Sequence, residues 1–88
     1  MRLTPNLDLT AAAPLWANLM EAAGAPVTLI ANDVTRLSAP CLQVLLAASA
    51  AWGRNGHAFR ISAPSAVFLE ALEVMGARDA FIFEDAVL

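Results

Sequence analysis

Apolar residues along this chain recur with two different periods, and the alternation between those periods predicts its architecture. Residues 1–9 alternate Leu3, Leu7 and Leu9 with polar positions around a break at Pro5-Asn6, which predicts a short strand, a turn and a second strand fragment. Thr10 has the hydroxyl expected of a helix cap. After it, Ala12, Trp16, Leu19, Met20 and Ala23 recur every three or four residues, predicting a helix that lays this stripe on a core and stops at Gly24. Pro26 then leads into Val27-Thr28-Leu29-Ile30-Ala31, a nearly unbroken apolar run of the kind found in a strand covered on both faces.

Residues 32–39 read as a polar turn, and Pro40 suits the first turn of a second helix, where its missing N–H is least costly. That helix is expected to run to Trp52, with Gly53, Asn55 and Gly56 as stop signals. Residues 58–61 form a second short apolar strand. A third helix is expected from Ser62 or Ala63, with Pro64 in its first turn. Val67, Phe68, Ala71, Leu72 and Met75 would face inward, Glu70 and Glu73 outward, and Gly76 would end it. Residues 80–83 read as the last strand, before an acidic end at Glu84-Asp85. Strands alternating with helices of this length imply crossover connections. The expected fold is therefore α/β: a small mixed, mostly parallel sheet of about four to five strands with helices packed on it, forming a single domain over residues 1–88.

Composition narrows the function. With 59% hydrophobic and only 15% charged residues, the chain has the apolar content of a folded domain and not of a disordered one. Its five basic residues are all arginines and face eight acids, giving a net charge of −3 with no basic cluster, so no nucleic-acid partner is expected. The longest uncharged stretch, residues 37–53, contains Pro40, Gln43 and two serines and is too short to span a bilayer, so the chain is not expected to be membrane-inserted. The N-terminus lacks the apolar core of a secretory signal, and a single cysteine permits no intrachain disulfide, which points to the cytoplasm.

The chemistry-bearing residues do not assemble into an enzyme. His57 is the only histidine, and one imidazole with one thiol cannot complete a zinc site, so no metal or other cofactor is expected. The four glycines sit at helix and turn stops and make no phosphate-cradling loop. Cys41, near a helix N-terminus, has two readings: a thiol of lowered pKa open to oxidation, or a small buried apolar residue.

The second helix is the most informative segment. Leu42, Leu45, Leu46 and Ser49 make a stripe suited to the sheet, while Cys41, Val44, Ala48, Ala51 and Trp52 occupy much of the remaining circumference. A helix apolar all round exceeds what so small a chain is expected to cover, so its outer face is expected to meet another protein; helix-forming alanines on a neutral surface are the alternative.

Taken together, several segments resemble the STAS domain, the fold of anti-sigma factor antagonists. Asn6-Leu7-Asp8-Leu9-Thr10-Ala11-Ala12-Ala13-Pro14-Leu15 is similar to that family's entry from strand into first helix. Val27-Thr28-Leu29-Ile30-Ala31-Asn32-Asp33-Val34-Thr35 resembles its central strand and following turn, and Leu42-Gln43-Val44-Leu45-Leu46-Ala47-Ala48 the start of its second helix. Ile61-Ser62-Ala63-Pro64-Ser65 with Leu72-Glu73-Val74-Met75-Gly76 resembles its last strand–helix unit. Typical members carry Asp-Ser-Ser-Gly-Leu before the second helix, and a partner kinase phosphorylates the first serine. The corresponding stretch here is Ser38-Ala39-Pro40-Cys41-Leu42: Ala39 stands at the acceptor position without a hydroxyl, and Pro40 removes an amide that would help to hold a phosphate. Ser38, one place earlier, is a weak candidate phosphoacceptor with helix capping as its other role, and Thr35 is weaker still.

The resemblance implies a non-enzymatic protein-binding module that lacks the usual serine switch. It would present the turn over residues 33–41 and the outer face of the second helix, with Asp33, Arg36, Ser38, Ala39 and Pro40 shaping the contact and Cys41, Val44 and Ala48 supplying apolar area. The implied partner is an anti-sigma factor of the histidine-kinase-like ATPase type. A bacterial chemotaxis kinase, served by an accessory protein of this kind, is an alternative, as is a phospholipid-transporting ABC complex with a small cytoplasmic STAS subunit. Self-association through the same helix and a redox role for Cys41 are further alternatives.

Overall fold

The computed structural model describes residues 1–84; Asp85, the second half of the expected acidic end, lies outside them. Three strands form a parallel sheet in the order β2 (Val27–Ile30), β4 (Phe59–Ser62) and β5 (Ile82–Glu84). Residues 1–3 continue it beyond β2: the Ile30 amide donates to the Met1 carbonyl at 2.7 Å and the Leu3 amide to the Ile30 carbonyl at 2.9 Å. A separate parallel pair joins β1 (Asn6–Leu7) to β3 (Arg36–Leu37). Three helices, α1 (Ala12–Glu21), α2 (Ala39–Arg54) and α3 (Ala66–Val74), complete the mixed α/β arrangement.

The register explains how the sheet is covered. Val27 pairs with Phe59, and Leu29, Ile61 and Phe83 form a row across the three strands, all facing the helices. Thr28, Arg60 and Ile82 form the next row on the opposite face, and these positions are half-buried or exposed. Side chains alternate along a strand, so helices cover only one face. The expectation that β2 is covered on both faces is thereby corrected: Thr28 and Ile30 look away from the core.

Inside, Leu3, Leu19, Leu29, Leu45, Ile61, Phe68 and Leu72 are almost wholly removed from water, and each contributes about 1.5–3 kcal/mol of transfer free energy. Trp52 packs edge-on against Phe59 with ring centroids 5.6 Å apart, and its indole N–H donates to the Ala25 carbonyl at 2.8 Å, so its single polar atom is satisfied in the core.

Several element boundaries differ from expectation for identifiable reasons. Asp8, and not Thr10, opens the first helical segment: its carboxylate accepts from the Thr10 amide and starts a 3-10 turn over Leu9–Ala11 that feeds α1. The polar turn of residues 32–39 contains β3, anchored where the Thr35 amide donates to the Pro5 carbonyl at 2.8 Å. Gly53 lies inside α2, and the chain turns at Gly56 with φ of 73°. Pro64 precedes α3 instead of entering it. Ala63 adopts a left-handed φ of 49°, so helical geometry resumes only after Ser65, whose hydroxyl accepts from the Phe68 amide.

Candidate functional site

The turn leading into α2 gathers most of the residues singled out in the sequence. At its start, the Asp33 carboxylate pairs with Arg2 at 3.2 Å, and the same guanidinium donates to the Asn32 side chain at 2.7 Å. Both partners of the ion pair are about half exposed, so the contact orients the loop more than it stabilises it. Arg36 is exposed on β3. Ser38 caps α2, its hydroxyl accepting from the Cys41 amide at 3.4 Å. Ala39 and Pro40 follow in the first turn, both exposed, with Val44 half-buried one turn further on.

Cys41 and Ala48 lie elsewhere. Both are fully buried, and the Cys41 thiol donates to the Asp8 carbonyl at 3.2 Å. The inner stripe of α2 is Cys41, Leu42, Leu45, Ala48 and Trp52, spaced at three, four or seven residues, with Leu46 and Ser49 only half-buried at its edge. The expectation that Cys41 and Ala48 supply contact area is corrected, because both side chains are enclosed in the core. What α2 offers to solvent is Ala39, Pro40, Gln43, Ala47 and Ala50, with Gly53 and Arg54 in its last turn.

Exposed apolar residues that the periodicity did not identify lie on α3, where Val67, expected to face inward, is exposed together with Val74, and on α1 and its entry. Leu9 is 69% exposed, Trp16 40% and Met20 38%. Of the stripe expected to face the core, Leu19 does so, joined by Leu15, whereas Trp16, Met20 and Ala23 are exposed. Leu15 and Leu19 share the i, i+4 spacing of Trp16 and Met20, so periodicity alone does not distinguish the two pairs; Leu15 and Leu19 being purely aliphatic was the only available cue.

The electrostatics are plain. Asp8 is held below its ordinary pKa of 3.8, chiefly by the Thr10 hydroxyl that donates to it, with help from the Thr10 and Ala11 amides and a small contribution from Arg36. Among the described residues no cluster of His, Cys, Asp and Glu could hold a metal ion, and no helix is long and apolar enough to cross a membrane. His57 is half-buried in the turn after α2, its amide donating to the Trp52 carbonyl.

A parallel sheet with helices on one face, and a capped helix N-terminus offered to solvent beside small side chains, make up a small mixed α/β domain. The family profile described as "Mlab, STAS domain" matches residues 1–84, and the chain belongs to the STAS domain family. Members of this family are generally non-catalytic and mediate protein–protein interactions. Among curated proteins, none matches the sequence.

Proposed function

We propose that this protein docks on a larger partner through the turn at the N-terminus of α2, with Asp33, Arg36, Ser38, Ala39 and Pro40 as the contact and Val44 at its margin, and that it does so without a serine phosphoswitch. The partner is a histidine-kinase-like ATPase of the anti-sigma factor type, a class that also includes chemotaxis kinases. The observation that carries this reading is the chemistry of the turn. The acceptor position is Ala39, and the neighbouring Ser38 hydroxyl is engaged as the helix cap, so a phosphate there would disrupt the bond that starts α2. The exposed surface consists of small side chains that a partner can approach closely, next to an oriented Arg2–Asp33 pair.

The same chemistry favours a second reading. A docking turn that cannot be switched suits permanent assembly, as in the small STAS subunit of a phospholipid-transporting ABC complex. Affinity purification from the native host, with Ala39→Arg as the control, tests both readings. Ala39 is exposed and already helical, so the variant is expected to fold normally while losing the partner. A recovered kinase-type ATPase favours the first reading, and a Walker-motif transport ATPase the second. Partner recovery unaffected by Ala39→Arg removes the turn from the interface.

A further inference from the structure

An open groove of about 420 Å³ runs between β3 and α3, with Arg36 on one wall and Val67, Glu70, Ala71 and Val74 on the other. It shares Thr35, Arg36 and Leu37 with the docking turn and otherwise lies outside it. The outward stripe of a surface helix is ordinarily polar, but here Val67 is 44% exposed and Val74 81% exposed while Phe68 and Leu72 fill the core from the inner side. Ala71 lies between the two valines, where its small side chain would allow a second helix to come close.

The charges on the groove indicate which surface fits it. Ion pairs among the described residues join Arg2 to Asp33, Arg60 to Glu84 and Arg78 to Glu73, and include neither Arg36 nor Glu70. The acid nearest Arg36 in effect is Asp8, whose two carboxylate oxygens already accept from Asn6 and Thr10. The groove thus presents an apolar strip flanked by one uncommitted cation and one uncommitted anion. Such a pattern complements itself across a two-fold axis, as an isologous interface must.

We propose that a second copy of this chain occupies the groove. The two α3 helices cross antiparallel about an axis near Ala71, Val67 packs against Val74 of the second copy, and Arg36 faces Glu70 of the second copy. This goes beyond the docking reading and does not depend on it, since Ala39→Arg is expected to leave the dimer intact. Sedimentation velocity of the purified chain over a range of concentrations tests the proposal. The unaltered chain is expected to show concentration-dependent dimerisation. Glu70→Arg and Arg36→Glu, which each set like charges face to face, should each raise the dissociation constant about tenfold or more. The double swap Arg36→Glu/Glu70→Arg should restore association. Both residues are exposed, and unchanged circular dichroism melts would confirm that the variants fold. A chain that stays monomeric at every concentration overturns the proposal, as does a dimer indifferent to either single swap or a double swap that fails to restore it.

Discussion

Helices α1 and α2 lie side by side, are both rich in alanine and carry almost no charge, yet they present opposite surfaces. Packed by α1 on one flank and by β4 on the other, α2 buries Cys41, Leu42, Leu45, Ala48 and Trp52, and no large apolar side chain stands exposed on it. Helix α1 buries only Leu15 and Leu19 and turns Trp16 and Met20 to solvent. A helix that is apolar around most of its circumference therefore marks, in a chain of this size, the element enclosed between neighbours. Surplus apolar surface appears instead on its neighbour α1 and on α3, where Val67 and Val74 are exposed. The helices also start differently: Ser38 caps α2 directly, whereas α1 is entered through a 3-10 turn that Asp8 initiates.

The largest expected effect comes from two adjacent positions on α2. Ala48→Glu places a carboxylate where the side chain has no contact with water, and should lower stability by about 4 kcal/mol or more, enough to unfold a domain of ordinary stability. Ala47→Glu, one residue away and exposed, should stay within about 0.5 kcal/mol. Urea denaturation followed by circular dichroism distinguishes the two; similar losses would mean that α2 is not enclosed as described. A smaller effect is expected from Ser38→Ala, which removes the cap of α2 and should reduce stability by about 1 kcal/mol in the same assay.

The smallest effect concerns the entry to α1. The Asp8 carboxyl is held below its ordinary value of 3.8 in the folded chain, so the folded state favours its ionised form. That stabilisation is fully present above pH 3.8 and is lost as the pH falls through the lower folded value. Thermal melts of the natural chain should therefore fall off more steeply below about pH 4 than those of Asp8→Asn. Parallel curves would remove Asp8 from the folding linkage.

Much of the fold was legible in the sequence because α2 and α3 carry helical periods and β2 an apolar run, each bounded by Pro, Gly or Ser. The entry to α3 was displaced because Ala63 takes a left-handed conformation that L residues seldom adopt and no side-chain pattern announces. β3 was missed because two residues are too few to show alternation; it exists through long-range hydrogen bonds to Pro5 and Leu7. For the candidate site, the exposed members of the turn were readable from the Ser-Ala-Pro order. The orientation of α2 was not, since the position of its inner stripe depends on where α1 packs, which is a tertiary fact. Cys41 and Ala48 were assigned outward for that reason, and Trp16 inward for the mirror-image reason.

The two tryptophans fall on opposite sides of this division. The Trp52 indole is 3% exposed and bonded to a carbonyl, and that of Trp16 stands 40% exposed on α1. Their fluorescence should accordingly separate into a blue-shifted emission shielded from iodide and a red-shifted one readily quenched by it. Replacing either with phenylalanine leaves a chain with a built-in optical reporter: one senses the integrity of the interior, the other whatever settles on α1.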